Sequence, residues 1–510
     1  METMKKLLLL LSATFVVGVV HAQEDYGRYY RHLPFDMPQV VVPVFPERTL
    51  TLSECGGLPG GLVSNTVAIR RVIEELASGG GGTLRIPAGI WLTGPVVLKD
   101  NIRLELERGA LLKFSRNFED YPLIVTTYGA RSTVKALSNI TGTRLTNIAI
   151  VGEGIIDGGG DAWRPVDRSK LTPGQWDALV ASGGVTYEKK SGTVWFPTQG
   201  ALDAYLKLNN NKPETLEVMT SAERKAYHAF FRSAMVKLTG CRNVLLQGVT
   251  FQNSPEWNLH PLLCENLTVD GVTVRNPWYS QNGDGIDIES CDRVLIVSSS
   301  FDVGDDAICV KSGVDEAGRR RGVPAKNLLV DGCTVYHGHG GFVVGSEMSG
   351  GVNRTVVRNC TFIGTDVGLR FKSQRGRGGV VENIWIENIS MTDIPGEALL
   401  FDLYYKKRFS PGDSVPPVTE GTPVFRNLFV RNITGTGIGT AMLFNGLPEM
   451  KLQNVSVEEV SFEAEEGITV REAQNVTFRD VRLALPSGVR TVTVAGSTAV
   501  DTTGIHRVKF

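Results

Sequence analysis

From residue 100 to the C-terminus the hydrophobic positions repeat one short phrase. A polar residue, usually Asn, opens it; apolar and polar positions then alternate, a Gly or Asn interrupts, and a second alternation follows. The phrase reads Asn243-Val-Leu-Leu-Gln-Gly-Val-Thr-Phe, Asn266-Leu-Thr-Val-Asp-Gly-Val-Thr-Val and Asn383-Ile-Trp-Ile-Glu-Asn-Ile-Ser-Met. Other copies open at Asn101, Asn147, Asn327, Asn427, Asn454 and Asn475, and Arg293 and Arg354 stand in the same place in two more. Period-two alternation broken by Gly or Asn predicts short strands, each with one buried face, joined by tight turns. Between positions 243 and 383 the phrase returns every 23 to 34 residues. Each turn of chain therefore stacks on the last and pairs in parallel at ~4.8 Å. The expected fold class is all-β, a right-handed parallel β-helix solenoid. The interval from Asn101 to Asn147 fits two such turns. Cys241, Cys264 and Cys291 fall at one position of the phrase and Cys333 and Cys360 at another. They read as buried reduced ladders, although neighbouring rungs are close enough for a disulfide.

A solenoid needs its open ends covered. Near the N-terminus, Asn65 or Thr66 can cap a helix whose apolar face is Ala68, Ile69, Val72, Ile73 and Leu76, stopped by the glycines at 79–82. That places an N-terminal cap at about 45–82. The interval from Asn147 to Asn243 is far longer than one rung and changes character. Residues 172–182 look helical, and Thr220-Ser-Ala-Glu223 resembles a capping box leading into a helix over 224–236. A partly helical insertion at about 159–236 is expected beside the solenoid.

The first residues read as a targeting signal. Lys5 and Lys6 precede an apolar run over 7–20, and cleavage is expected after Ala22. The run is shorter than the ~20 residues of a spanning helix, so no membrane anchor is expected. The expected location is periplasmic or extracellular. Length alone would suggest two or three domains, but the repeat makes 23–510 one domain. With 53 Lys+Arg against 54 Asp+Glu, the net charge of −1 excludes a nucleic-acid binder driven by bulk positive charge. No CxxC pair occurs, so the seven cysteines support neither a zinc ribbon nor a thioredoxin-like motif.

Four polar clusters interrupt the apolar repeat: Asn282-Gly-Asp284-Gly-Ile-Asp287, Gly304-Asp305-Asp306, Gly338-His339-Gly340 and Arg370-Phe371-Lys372. Their spacing puts them on successive rungs at a similar angle, so they should line one groove. Strand alternation turns Phe371 inward if Arg370 and Lys372 point outward. Asp305 and Asp306 cannot both face outward on a regular strand, which predicts a bend there. Three carboxylates in one groove repel each other. At least one should hold a proton while the others ionise, the acid and base that glycosidic cleavage needs. An outward Arg and Lys would attract an anionic substrate.

These four motifs, in this order, resemble the signature motifs of glycoside hydrolase family 28, the polygalacturonases. Asn253-Ser-Pro-Glu-Trp257-Asn-Leu-His260-Pro is similar to a further segment of that family. The resemblance covers about residue 45 to the C-terminus. It implies a right-handed parallel β-helix and metal-free hydrolysis of α-linked galacturonic acid with inversion, with no cofactor. Carried over, Asp305 would be the general acid, Asp284 and Asp306 would position and activate water, and His339 would tune the acid. Arg370 and Lys372 would bind the galacturonate carboxylate, and Asn282 would help position the base. Inverting carboxyl groups are expected ~6.5–9.5 Å apart. The chain departs from common family patterns at Gly283, where Thr is frequent, and at Gly304, where Gln or Asn often stands. Neither change removes a functional group.

The resemblance implies pectin, an acidic polysaccharide, as the partner, and the insertion inclines the reading toward exo action. Alternatives are a galacturonosidase acting on rhamnogalacturonan, a calcium-dependent pectate lyase on the same fold, and a non-catalytic pectin-binding β-helix. Lys311, Arg375, Arg377, Tyr404 or Tyr405 and the run Arg319 to Arg321 are weaker candidates for lining subsites. Oligomeric state is not legible in the sequence.

Overall fold

The computed structural model describes residues 25–209, 212–405 and 414–509. The signal peptide expected at 1–22 lies outside the described residues. Backbone conformation explains the repeated phrase. Asn101, Asn147, Asn243, Asn266, Asn327, Asn383, Asn427, Asn454 and Asn475 all have φ between 54° and 56°, and Arg293 and Arg354 share that state. The left-handed region costs an ordinary L-residue about 1–2 kcal/mol, and Asn tolerates it through local hydrogen bonding. The amides also bond from rung to rung: Asn147 Nδ2 donates to Asn101 Oδ1 at 3.0 Å, Asn243 to Asn147 at 2.9 Å and Asn266 to Asn243 at 3.0 Å. Asparagine therefore serves each turn twice.

The alternating positions build a parallel β-helix of 31 strands. One inward ladder runs Leu84, Leu104, Ile150, Leu246, Val269, Ile296, Val330, Val357, Ile386, Val430, Val457, Phe478. No member is more than 3% exposed. A second row stacks the rings of Phe371, Phe401 and Phe444 at 4.9 and 5.0 Å. Among the described residues all seven cysteines are free, with Cys241, Cys264, Cys291, Cys309, Cys333 and Cys360 buried. The helix Thr66–Ser78 buries Ile69, Val72, Ile73 and Leu76 in the same core as Leu84 and Leu104. Asn65 is its N-cap by position only, since its side chain instead accepts from the Leu58 amide at 2.7 Å.

Two expectations are corrected. Asn101 and Asn147 lie on adjacent rungs, with Ile102 opposite Ile148, so the interval is one turn and not two. Its surplus forms an antiparallel hairpin, Leu123–Tyr128 with Arg131–Ala136. The capping box at Thr220 and Glu223 is present, but its helix is only Ser221–Ala226 and is followed by a 3-10 turn, His228–Phe231. Phe231 is buried there, and from Val236 the chain is already a rung strand, Val236–Thr239, paired with Leu259–Leu262. The rest of the insertion carries the helix Pro173–Ala181, a three-stranded sheet and the helix Gln199–Leu208.

An N-terminal arm adds one outer layer. Tyr26 and Met37 pack on Leu295, Val297, Leu329 and Val356, outward-facing residues of three adjacent rungs. This accounts for the unbroken apolar run Val294-Leu-Ile-Val297, which is buried on both faces.

Candidate active site

Six parallel strands carry the groove: Val236–Thr239, Leu259–Leu262, Ile286–Glu289, Asp306–Lys311, Gly340–Gly345 and Leu369–Lys372. The polar clusters sit on the last four or in the turns entering them. Asp305 is in the bend before its strand and Asp306 is the strand's first residue, which supplies the expected re-aiming of two adjacent carboxylates. Backbone bonds between rungs fix the turns: Gly285 N–H donates to Asp306 O and His339 N–H to Asp305 O, both at 2.9 Å. One oxygen from each of Asp284, Asp305 and Asp306 lies within 4.8 Å of the other two. Phe371 is wholly buried in the core, and Arg370 and Lys372 face the aspartates.

Lys372 Nζ donates to Asp306 Oδ2 at 2.6 Å, Arg370 Nη1 to Asp306 Oδ1 at 3.3 Å, and the Lys372 ammonium lies 5.3 Å from the centre of the Tyr405 ring. His339 Nδ1 is 3.1 Å from Asp305 Oδ1, and its Nε2 is 3.8 Å from Asp366 Oδ2. Asp305 also accepts from the Asp306 amide at 3.0 Å. These contacts separate the three acids electrically. Burial opposes ionisation of Asp305, yet the His339 hydrogen bond and charge, with Lys372, bring its carboxyl down to about 2. Asp306 is lowered too, burial being outweighed chiefly by Lys372. Asp284 goes the other way: burial first, then the charges of Asp287 and Asp305, push it well above the usual carboxylate range. Its Oδ1 is buried with no hydrogen-bond partner among the described residues. The hydrogen bond to Asp305 raises His339, against the effect of burial.

A family model, Glycosyl hydrolases family 28, matches residues 219–484, just over half of the chain. The chain is also 30% identical to a hyperthermoactive exopolygalacturonase from Thermotoga maritima, over 90% of this chain and 94% of that one, with a TM-score of 0.69. The chain belongs to glycoside hydrolase family 28. It is 28% identical to a probable polygalacturonase of Vitis vinifera, covering 81% of this chain and 73% of that protein. It is 27% identical to the exo-poly-alpha-D-galacturonosidase of Dickeya chrysanthemi, covering 88% and 75%.

In this family 28 hydrolase Asp287 and Lys311 have closer ties to the site than the sequence pattern assigns them, and Glu347 went unread. Asp287 is fully buried, with Lys311 Nζ at 3.4 Å and no hydrogen-bond partner for either oxygen among the described residues. Lys311 also donates to Glu347 at 3.2 Å and sits 4.9 Å from the centre of the Trp257 ring. Lys311 is therefore part of the groove floor. Asn282, expected to help position the base, is itself held from the insertion: its Oδ1 accepts from Arg232 Nη2 at 3.2 Å. The weaker candidates are tied into loops, Arg375 to Glu449, Arg377 to Asp315 and Ser346, Arg321 to Glu289 and Arg319 to Glu420.

One end of the groove is covered. The hairpin Leu123–Tyr128/Arg131–Ala136 crosses it, with the Tyr128 ring tilted 31° to that of Trp257 and their centres 4.4 Å apart. Lys237 Nζ donates to Thr126 Oγ1 at 2.9 Å and Thr127 O at 2.7 Å, and Gly129 O accepts from the Val314 amide at 2.9 Å. Arg131 pairs with Asp315 at 2.8 Å, so the tip is fastened to the opposite bank. Lys237 and His260, outward-facing on the first two groove strands, are consequently buried. The carboxylate triad is the one group of three acids or histidines among the described residues close enough to hold a metal ion. Lys372 and Arg370 each donate to one Asp306 oxygen, so a cation there would share that carboxylate with two fixed positive charges.

Proposed function

We propose that this chain hydrolyses α-linked galacturonic acid in galacturonan, from a chain end, with inversion and without a metal. The observation that carries the reading is the convergence of three unequal carboxylates with Arg370 and Lys372 in a groove closed at one end. Family membership supports the chemistry, and the names of the Thermotoga and Dickeya relatives support both substrate and exo action. The three acids approach within 4.8 Å through one oxygen each, a closest-atom distance that does not give the ~6.5–9.5 Å separation between carboxyl groups by which an inverting pair is recognised. Inversion therefore rests on membership of the family.

In this reading the resting site carries its proton on Asp284. A uronate carboxylate arriving at Arg370 and Lys372 draws their charge from Asp306 and adds a negative charge beside Asp305. Asp305 then takes the proton, leaving Asp284 ionised. Asp305 donates it to the glycosidic oxygen as the bond to the anomeric carbon breaks. Asp284 and Asp306 orient the incoming water, and its proton returns the cluster to its starting state. His339 holds Asp305 in place, and Asn282 ties the catalytic turn to the insertion through Arg232. We further propose that 23–510 is a single catalytic domain and that 1–22 direct export.

Purified protein is incubated, with chelator present, on polygalacturonate and on rhamnogalacturonan oligosaccharides, and products are resolved over time. Galacturonic acid alone from the start on polygalacturonate is expected. A spread of oligomers would refute exo action, activity on rhamnogalacturonan alone would move the substrate, and an unsaturated product lost with chelator would indicate a lyase. Binding without cleavage of either would refute an enzyme.

A further inference from the structure

The insertion encloses a cavity of about 250 Å³ that the catalytic steps above do not use. Its walls combine the rings of Trp163, Tyr187, Tyr205 and Phe230 with the cations Lys189 and Arg232, and its floor includes Gln281 and Asn282 of the catalytic turn. Rings beside fixed cations suit a sugar that carries a carboxylate. The ring faces pack against its C–H surfaces, and the cations make charge-assisted hydrogen bonds to its acid group.

The walls are firmly placed, and one cation in them has donors to spare. Trp163 is 2% exposed and held edge-on against Phe118 and Tyr121, with ring centres at 4.6 and 5.3 Å. The cavity's one lining carboxylate, Glu256, is occupied by Lys135 and by Lys212 at 3.2 Å. Lys189 lies 3.6 Å from Asp167, a loose pair that leaves donor capacity on the ammonium. The cavity is also joined to the chemistry. Arg232 Nη1 donates to Gln281 O at 2.9 Å and Nη2 to Asn282 Oδ1 at 3.2 Å, two residues before Asp284.

We propose that this cavity is an acidic-sugar subsite that takes one hexuronate unit of the glycan cleaved at the neighbouring aspartates. The proposal rests on the galacturonan reading and adds a second place where that polymer's charge is recognised. The insertion then measures the substrate as well as flanking the groove.

The test is trigalacturonate binding, by titration calorimetry, to protein carrying Asp305→Asn, alone and combined with Lys189→Gln or Trp163→Phe. Lys189 is half-exposed, so Lys189→Gln leaves the fold intact even if Trp163→Phe disturbs the buried indole site. Circular dichroism checks both. Each added substitution is expected to weaken trigalacturonate binding about tenfold or more. Lys189→Gln should leave binding of the fully methyl-esterified trimer within twofold. In otherwise wild-type protein Lys189→Gln should raise KM by a similar factor while kcat changes far less. Unchanged affinity in both variants, with wild type still cleaving the trimer, would overturn the subsite alone. Wild type that neither binds nor cleaves it would overturn the galacturonan reading and the subsite with it.

Discussion

Lys372→Met separates the lysine's charge from its packing. The Lys372–Asp306 pair is 2.6 Å long, with side chains 6% and 2% exposed. Removing one partner of a buried pair leaves the other charge uncompensated, at a cost of about 3–5 kcal/mol. Arg370 at 3.3 Å from the other Asp306 oxygen remains, which argues for the lower end of that range. Methionine keeps most of the side-chain volume, so little of the loss comes from a cavity.

The sign of the pH dependence follows from Asp306. In the wild type burial raises its carboxyl, but Lys372, with Arg370 and Lys311, brings it below the ordinary value, and the stability this contributes is lost as pH falls through that lowered value. In Lys372→Met burial dominates, and the carboxyl of Asp306 rises above its unfolded value. The deficit relative to wild type is then full above that raised value and shrinks as pH falls and Asp306 protonates. Urea midpoints of both proteins measured from about pH 8 down to about pH 4 should converge toward the acid end. Asp306→Asn in the same background should recover part of the lost stability, read as a double-mutant cycle. A deficit that stays constant across that range would refute the electrostatic account and make Lys372 a packing residue.

Four other outcomes are expected. Asp305→Asn should lower kcat by about 10²–10⁴-fold, the usual contribution of a general acid, with KM nearly unchanged; a smaller loss would reassign the proton donor. Asp287→Asn removes a negative charge that helps raise Asp284, so Asp284 should lose its proton at lower pH and the alkaline limb of kcat/KM should move down; movement upward would contradict the proton assignment. Replacing the hairpin tip at 127–132 by a shorter turn should open the groove and yield internal cleavage products from polygalacturonate, detected as oligomers at early times. Proton NMR of the first product formed should show the β-anomer; first appearance of the α-anomer would mean retention.

Much of the fold was legible because two local costs leave marks on the sequence. A left-handed residue once per turn selects Asn, so Asn101 to Asn475 mark the rungs directly. One buried face per strand selects alternation, which placed Phe371 inside and Arg370 and Lys372 outside. The hairpin escaped because Leu123-Ile-Val-Thr-Thr-Tyr128 is a β-branched run of rung length, and strand propensity does not distinguish a parallel partner from an antiparallel one. Its turn, Gly129 and Ala130 at φ 57° and 70°, is the left-handed pair of a tight hairpin, but Ala at the second position hides it. In the site, sequence order gave the three aspartates and their shared groove. It did not say which one holds the proton. That depends on Lys372 and His339 standing near Asp305 and on Asp287 standing near Asp284, distances that chain order does not contain. For the same reason the hold of Arg232 on Asn282, 50 residues apart in sequence, was not legible.

The hairpin, which escaped, and the insertion, which did not, share a position in the chain. The hairpin at 123–136 and the insertion leave the solenoid between the Asn101 rung and the strand Val236–Thr239, and they bear on the same end of the groove. Ser132 Oγ donates to Glu214 O at 2.9 Å and Val134 N–H to Pro213 O at 2.7 Å, so the hairpin and the insertion brace each other. The catalytic clusters lie on later rungs, where regular stacking fixes their spacing whatever the earlier excursions do. A solenoid can therefore change which part of a polymer enters the groove by altering excursions on one flank, without moving Asp284, Asp305 or Asp306. On this arrangement, shortening the hairpin should change the product distribution far more than the rate of bond cleavage on a short oligomer, and substitutions at the aspartates should do the reverse.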